Sequence, residues 1–335
     1  MEQLERCSVV VVTRDRFSTT ARCLQEVINH TPEGAYDLIA VIGGAPEKVR
    51  RDLESRFGDK VRFIFEDRFL NPAQARNIGL RACASRLAVL MDNDVYPRSG
   101  WLEPLLRCQK ETGAAMVVPV ILEPGDKIHT AGNDLFISHK NGKAFGQKTL
   151  RFYQVRYFDS NNLKRQPTDY GELHCQLVVA ETAIRLGVYD EHIHEVGEVD
   201  SGLTWKKAGC PLWFEPASVV LYDKPERVRR AEDILFFKWR WNMRIILEGY
   251  RYFQNKWDMD ISDGGNFKDF LVSFNCKLGL APRMFPNSFG LLLDGAFRKL
   301  SGAAGNIQAG WRMRKARAWG YGEWVREYKN WEKGK

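Results

Sequence analysis

Four short apolar runs, separated by segments with helical patterning, constrain the fold of the first hundred residues. The runs are rich in β-branched residues and end at polar or glycine residues, as buried strands do. The helix predicted before the fourth run begins at Asn71-Pro72, an amide cap followed by an N1 proline. Because strands and helices alternate, we expect a parallel, doubly wound α/β sheet. The predicted strands are residues 8–13, 38–42, 61–65 and 87–91.

Two acidic residues, Asp92 and Asp94, come directly after the fourth run. Side chains alternate across an extended chain, so both carboxylates leave the backbone on the same side. At the carboxyl edge of a parallel sheet they would face the crevice where open α/β sheets bind ligands. Carboxylate oxygens suit Mg²⁺ or Mn²⁺. The pattern therefore predicts a divalent-cation site, although an Asp-x-Asp pair also occurs in ordinary polar turns.

Four segments in order along the chain resemble the motifs of one enzyme family. They are VVVVTRDR at 9–16, NPAQARNIG at 71–79, MDNDV at 91–95 with GWL at 100–102, and EVDSGLTWKKAG at 198–209. The first corresponds to a first strand with a nucleotide-binding turn, and the second to a "G-x-A-x-A-R-N-x-G" helix. The third corresponds to a metal motif and the fourth to an acidic helix. Together they resemble the family 2 glycosyltransferases with the GT-A fold.

The resemblance implies a mixed, doubly wound α/β sheet of the GT-A type in residues 1–225, with a C-terminal helical extension in residues 226–335. It also implies a metal-dependent, inverting transfer of a sugar from a nucleotide-sugar donor to a hydroxyl of a glycan or lipid-linked acceptor. Bacterial surface polysaccharide synthesis is the expected setting. The residues implied to bind the nucleotide sugar are Thr13, Arg14, Asp15, Arg76, Asn77, Asp92 and Asn93.

Two departures from the family pattern affect the donor and the metal. Where such enzymes have an aspartate that grips the nucleotide base, this chain has Gly43-Gly44, so the base is left open. Where a metal-binding histidine often follows the last strand, this chain has Asp223. A carboxylate suits a hard cation, so Asp92, Asp94 and Asp223 are the predicted ligands of Mn²⁺ or Mg²⁺. A solvated loop aspartate is the alternative for Asp223.

The acidic helix carries the predicted chemistry. A carboxylate can take the proton of the acceptor hydroxyl as the anomeric carbon is attacked. By resemblance Glu198 is the predicted base, and Asp200 orients it or an acceptor hydroxyl; the reverse assignment remains open. Acidic residues also occur at helix N-termini because they stabilise the helix dipole, which is the alternative for both residues.

The amino-acid composition indicates the cellular compartment and the class of partner. The seven cysteines are scattered and odd in number, with no Cys-x-x-Cys pair, which indicates free thiols in a reducing cytosol. The N-terminus lacks a signal-peptide pattern, and no apolar run approaches the roughly 18 residues of a membrane span. We therefore expect a cytoplasmic protein, and the absence of a nucleic-acid-binding module argues against a nucleic-acid partner.

The C-terminal third differs from the rest in charge and in aromatic content. Residues 226–335 hold 21 Lys/Arg against 12 Asp/Glu, and seven of the ten tryptophans. From residue 298 onward there are ten basic residues against three acidic ones. Such segments suit an anionic membrane surface, so the tail is predicted to hold the protein at the inner face of the cytoplasmic membrane. Packing on the catalytic domain, or an oligomer contact, is the alternative.

Two other functions compete with sugar transfer. One is a non-catalytic GT-A-like module that binds a glycan or scaffolds an assembly at the membrane. The other is a sugar nucleotidyltransferase, which lacks support because no glycine-rich phosphate loop follows the first strand. Acidic residues at every position that the chemistry needs favour the transferase.

Overall fold

The structure of the protein is a computed structural model that describes residues 5–140, 143–157, 163–224, 228–260, 278, 280–296, 311, 314, 315 and 318. By their contacts the residues separate into two units, Met1–Phe136 with Lys148–Lys224, and Ile137–Gln147 with Pro225–Lys335. The division into residues 1–225 and 226–335 stays a prediction about domains. The predicted basic tail from residue 298 lies outside the described residues, apart from residues 311, 314, 315 and 318.

The described chain alternates strands and helices up to residue 112 and then becomes rich in strands. The strands are β1 (Cys7–Val12), β2 (Tyr36–Gly43), β3 (Arg62–Glu66), β4 (Leu87–Asp92), β5 (Val95–Pro97), β6 (Met116–Glu123), β7 (Lys127–Thr130), β8 (Asn133–Lys140), β9 (Lys143–Leu150), β10 (Gln166–Pro167), β11 (Cys175–Val179), β12 (Leu212–Tyr222) and β13 (Met259–Asp260). The helices are α1 (Thr20–His30), α2 (Glu47–Phe57), α3 (Pro72–Ala82), α4 (Leu102–Thr112), α5 (Ala180–Leu186), α6 (Gly197–Lys207), α7 (Ala231–Arg240), α8 (Met243–Trp257), α9 (Leu280–Met284) and α10 (Ser288–Ala296).

The first unit is built on one mixed sheet. Its strand order is β10-β12-β6-β11-β4-β1-β2-β3, with β5 beside β12 and β7 beside β6. The strands β4, β1, β2 and β3 run parallel to one another, whereas β11 is antiparallel to both β4 and β6. Every residue of β1 and β4 is buried, as expected for strands covered on both faces. The predicted mixed α/β sheet is confirmed.

The helix α3 begins as its sequence predicts. Asn71 caps it by accepting a hydrogen bond from the Gln74 backbone N–H at 2.8 Å, while Gln74 accepts one from the Asn71 backbone N–H at 3.1 Å. This reciprocal capping box satisfies two backbone donors at the helix start. Gly79 then lets the helix approach β1, because a Cβ there would lie 2.2 Å from Val10 Cγ1. The helix is thereby held against the centre of the sheet.

Strand pairing brings three chain segments to one edge of the sheet. Val12 and Asp92 are register partners, so β1 and β4 end side by side. The antiparallel strand β11 starts at Cys175, opposite Met91, and the Asp92 backbone N–H donates to His174 O at 3.0 Å. The turns after β1 and β4 therefore meet the segment before β11.

The second unit contains helices with their own apolar cluster. Asn242 caps α8 by accepting from the Arg244 backbone N–H at 3.0 Å. The cluster includes residues from α7 and α8, namely Ile234, Phe237, Trp241, Met243, Ile246 and Leu247, together with Leu278. Across the described ranges, no helix has both the length and the apolar character that crossing a bilayer requires.

Candidate active site

Asn93 joins the turns that follow β1 and β4. Its side chain has no exposed surface and accepts a hydrogen bond from the Arg14 backbone N–H at 3.2 Å. Its amide nitrogen donates to Arg16 O at 2.6 Å and to Thr20 Oγ1 at 2.8 Å, and its backbone N–H donates to Val12 O at 2.9 Å. The predicted donor-site residue Asn93 thus holds the two turns together.

Asp92 is buried among positive and polar groups. Arg76 donates from Nη2 to Asp92 Oδ1, and neither side chain has exposed surface. Asp92 Oδ2 lies 3.3 Å from Arg14 Nη1 and 3.1 Å from His174 Nδ1. Burial by itself would raise the pKa of Asp92, but Arg76, the His174 hydrogen bond and Arg14 outweigh it and hold that pKa well below its usual range. Asp92 is therefore ionised.

Asp94 differs from Asp92 because the nearby charges of Arg14 and Arg16 do not offset its burial. The residue has no exposed surface, and neither carboxylate oxygen has a hydrogen-bond partner among the described residues. Burial, together with the nearby charge of Asp92, raises the pKa of Asp94 to about 7. Native proteins rarely leave buried carboxylates unpaired, which points to a missing positive group.

Asp92, Asp94 and His174 form a group that could hold a metal ion, here called the three-ligand group. Each offers one ligand atom, and these atoms lie within 4.8 Å of one another. Burial and the charge of Arg14 lower the pKa of His174 to about 3, so its imidazole is neutral. Two carboxylates and a neutral imidazole, with two oxygens left unpartnered, fit a divalent cation.

Asp223 lies next to the three-ligand group but outside it. Its backbone N–H donates to Asp94 O at 2.8 Å. Its carboxylate accepts a hydrogen bond from the Tyr96 hydroxyl at 3.1 Å and lies 3.4 Å from Arg16 Nη2. The structure therefore brings Asp223 beside Asp94 while engaging its carboxylate with Tyr96 and Arg16. Its predicted role as a metal ligand stays a prediction.

Arg14 and aromatic rings form one wall of the site. Arg14 Nη1 lies 2.7 Å from His174 Nδ1, and its guanidinium carbon is 5.9 Å from the centre of the Tyr222 ring. His174 stacks on Tyr222 with ring centres 3.9 Å apart, and His129 meets His174 edge-on at 5.4 Å. The Arg14 side chain keeps 21% of its surface exposed, so it can reach a bound anion.

The remaining predicted donor residues divide into two sets. Thr13 and Asp15 leave β1 at the same edge as Asp92 and are both 1% exposed. Asn77 instead donates from its amide to Tyr189 O and to Glu191 Oε1, both at 2.9 Å. Those bonds tie α3 to the segment before α6. Binding of the nucleotide sugar by these three residues stays a prediction.

The two glycines that end β2 are required by packing. A Cβ on Gly43 would lie 2.5 Å from Leu70 Cγ, and one on Gly44 would lie 2.3 Å from Phe69 Cδ1. Gly44 also has a φ of +69°, a conformation that side chains disfavour. The chain after β3 therefore occupies the space that a base-binding aspartate would need.

The predicted catalytic residues lie in the first turn of α6. Val196, just before the helix, has a φ of +59°, which is strained for a β-branched residue. Ser201 Oγ donates to Glu198 O at 2.9 Å. The Glu198 side chain is 14% exposed, whereas Asp200 is 1% exposed. Strained backbone is frequent at functional sites, and here it sets the direction in which the helix begins.

Lys148 and Glu172 surround Glu198. Lys148 Nζ donates to Glu198 Oε1 at 2.7 Å. Burial raises the pKa of Glu198, but the charge and the hydrogen bond of Lys148 outweigh burial and lower it. The pKa of Glu172 is raised, first by burial and then by the charge of Glu198. Of the two carboxylates, Glu198 is therefore the one that loses its proton at lower pH.

Comparison with known proteins assigns the family. A family model described as glycosyl transferase family 2 matches residues 8–175, half of the chain. The chain belongs to glycosyl transferase family 2. The matched range of this family 2 chain contains β1, α3, β4 and the three-ligand group. The family predicted from the four sequence motifs is confirmed.

The alignments with individual relatives include only part of this family 2 chain and a smaller part of each relative. A pre-mycofactocin glycosyltransferase of Mycobacterium tuberculosis is 30% identical over 167 residues, 47% of this chain and 31% of the relative. Polypeptide N-acetylgalactosaminyltransferase 13 of Homo sapiens is 25% identical over 213 residues, 60% of this chain and 36% of the relative. The chain thus spans about a third of the length of these relatives.

A solved structure confirms the fold. The crystal structure of GalNAc-T7 with UDP, GalNAc and Mn²⁺ matches this family 2 chain with a TM-score of 0.54 and 18% identity. The match covers 83% of this chain and 55% of the other. At that identity it establishes a shared GT-A fold and nothing further.

The sequence motifs did not indicate three residues that the structure places in the site. None of the four family-like motifs includes His174, Glu172 or Lys148. Glu172 and His174 directly precede the apolar run of β11, so a strand-end position was their only signal. Their nearness to Asp92 and Glu198 depends on β11 pairing antiparallel with β4, which no local pattern indicates.

Proposed function

We propose that this chain is a metal-dependent, inverting glycosyltransferase that moves a sugar from a nucleotide-sugar donor to a hydroxyl of a glycan or lipid-linked acceptor. Bacterial surface polysaccharide synthesis is the proposed setting. The observation that carries the proposal is Asp94, a carboxylate with no exposed surface and no hydrogen-bond partner in the described part of the chain. Beside an ionised Asp92, such a group needs a cation, and a divalent cation also bridges to a diphosphate.

The donor end of the proposed site combines acidic and basic side chains. Asp92, Asp94 and His174 would hold Mn²⁺ or Mg²⁺, which when bound would offset the charge of the departing nucleoside diphosphate. Arg14, part-exposed beside Asp92, would bind a phosphate oxygen directly. Arg76 is fully buried on Asp92, so its proposed contribution to the donor site is to hold that carboxylate in place.

The acceptor end is proposed to consist of Glu198 and its neighbours. The acceptor hydroxyl oxygen forms a bond to the anomeric carbon from the face opposite the diphosphate. The anomeric carbon–oxygen bond breaks, and its electron pair stays on the diphosphate. The hydroxyl proton goes to Glu198, whose pKa lies below its ordinary value and which is therefore ready to accept it. Asp200, buried two residues further on, would orient the base or the acceptor.

The choice of donors to test follows from the relatives. The GalNAc-T7 structure contains UDP, GalNAc and Mn²⁺, which supports UDP-sugars and Mn²⁺ as the first probes. Gly43-Gly44 gives no reason to prefer uracil, so GDP-mannose and dTDP-glucose belong in the same panel. Metal-dependent thermal stabilisation would identify the donor, since a ligand that binds only the folded state raises its stability.

Release of nucleoside diphosphate by the wild-type protein with Mn²⁺ tests the proposal. Glu198→Gln should lower the rate roughly 10²- to 10⁴-fold with donor binding retained, the range usual for a general base. Glu103→Gln is the matched control, because Glu103 forms an exposed ion pair with Arg107 on α4. Activity that survives EDTA would contradict the metal site. Donor binding without turnover by the wild type, under any condition, would favour the glycan-binding module instead.

We also propose that the basic tail attaches the enzyme to the inner face of the cytoplasmic membrane. The support is compositional, since residues 298–335 carry ten basic and three acidic residues with four tryptophans. Each Lys or Arg near an anionic surface contributes roughly 1 kcal/mol. Co-sedimentation with vesicles that contain phosphatidylserine should therefore exceed that with neutral vesicles and fall steeply with salt. Binding that ignores lipid charge, or no binding at low salt, would make the tail a structural element.

A further inference from the structure

The ion pair between Lys148 and Glu198 links the end of β9 to the first turn of α6. The atoms Lys148 Nζ and Glu198 Oε1 are 2.7 Å apart, and the two side chains are 24% and 14% exposed. Oε1 accepts the hydrogen bond from Lys148, and the backbone N–H of Glu198 also hydrogen-bonds to the carboxylate. These contacts hold the carboxylate in place at the start of α6, while its side chain stays 14% exposed.

The chain around Lys148 is anchored on the C-terminal side. Three residues further on, the Arg151 backbone N–H donates to Gly132 O at 3.1 Å, and Arg151 O accepts from the Ala131 backbone N–H at 3.2 Å. The Arg151 guanidinium donates to Asp134 Oδ2 and to Pro167 O, both at 2.9 Å. Because Arg151 is held on both its backbone and its side chain, the position of Lys148 is restricted before any ligand binds.

Three other charged or titratable groups, Arg14, Glu172 and Tyr170, act on this ion pair. Lys148 attracts Glu198 and hydrogen-bonds to it, and Arg14 attracts it without a hydrogen bond. Glu172 repels it, and Tyr170 interacts electrostatically with Lys148. Burial also opposes the ionisation of Glu198. Without Lys148, burial and Glu172 would act against the Glu198 backbone N–H and Arg14, and the carboxylate would hold its proton to a higher pH.

We propose that Lys148 is a positioning residue for the transfer reaction, which aims the Glu198 carboxylate and keeps it ionised so that it can take the acceptor proton. This inference rests on the function proposed above. It gives Lys148, which none of the four family-like motifs includes, a part in building the base.

The test compares the pH dependence of kcat for nucleotide release at saturating donor and Mn²⁺. In Lys148→Met the acidic limb should move to higher pH by roughly one to three pH units, the usual effect of removing an adjacent opposite charge. Lys148→Arg, which keeps the charge, should restore the wild-type position. Lys206→Met is the matched control, because Lys206 forms a 2.8 Å ion pair with Asp169 on the outer side of the same helix.

A second measurement does not depend on turnover. Titration of ¹³C-labelled glutamate carboxyl groups by NMR, with the Glu198 resonance assigned by its loss in Glu198→Gln, should show the same shift in Lys148→Met. An unmoved Glu198 resonance, an unmoved acidic limb, or an equal shift in Lys206→Met would overturn the positioning role. A protein that shows the NMR shift but turns over no donor would instead contradict the proposed function and leave the ion pair structural. Thermal unfolding of each variant verifies that it is folded.

Discussion

Removing the charge of Asp94 should stabilise the metal-free protein, although it should abolish metal binding. Asp94 has no exposed surface and no hydrogen-bond partner in the parts of the chain that the structure describes. Burial and the charge of Asp92 raise its pKa from 3.8 to about 7. Ionised Asp94 therefore destabilises the folded state until a cation binds, and Asp94→Asn removes that cost.

The size of this destabilisation follows from the linkage between proton binding and folding. The folded state binds its proton more tightly than the unfolded state, so stability is lost as pH rises from about 4 through about 7. Each pKa unit corresponds to about 1.4 kcal/mol, so the full cost above pH 7 is on the order of 4 kcal/mol. About 2 kcal/mol of that develops between pH 5.5 and pH 8.5. The buried amide of the variant costs about 1–3 kcal/mol at every pH, so it does not affect this difference.

Denaturant unfolding in EDTA at pH 5.5, 7 and 8.5 measures the effect. The stability of Asp94→Asn relative to wild type should rise with pH, and added Mn²⁺ should stabilise the wild type only. Asp126→Asn is the control, because Asp126 forms an exposed ion pair with Arg98 and should show no such trend. A stability difference that is constant across this pH range, or Mn²⁺ stabilisation that persists in Asp94→Asn, would refute the reasoning.

Three further variants test the packing around the site by denaturant unfolding. Arg76→Met leaves the buried Asp92 with less positive charge, so it should cost about 3–5 kcal/mol, and a loss below 1 kcal/mol would contradict the buried ion pair. Asn71→Ala removes the α3 capping box and should cost about 1 kcal/mol, whereas no loss would mean that solvent replaces the cap. Gly43→Asp should destabilise the fold, because the new Cβ would lie 2.5 Å from Leu70 Cγ, and it should not create a base-binding site. A stable Gly43→Asp variant with improved donor affinity would disprove this explanation.

Local patterns predicted the sheet because each strand and helix carries its own signal. The apolar run that became β4, the Asn71-Pro72 start of α3 and the Asp-x-Asp pair are properties of a few adjacent residues, and all three appear in the structure where the sequence indicated. Parallel pairing then followed from the alternation of strands and helices. The same signals could not reveal that Gly43 and Gly44 pack against residues 68–70.

The sequence by itself determined the family, the sheet and the pair Asp92–Asp94, because these depend on short-range order along the chain. Only the tertiary structure decided what surrounds them. His174 reaches Asp92 because β11 runs antiparallel beside β4, and Lys148 reaches Glu198 across 50 residues of chain. The charges that hold Asp92 ionised and lower the pKa of Glu198 come from distant segments. Electrostatic interaction depends on distance and burial in space, which the order of residues does not contain.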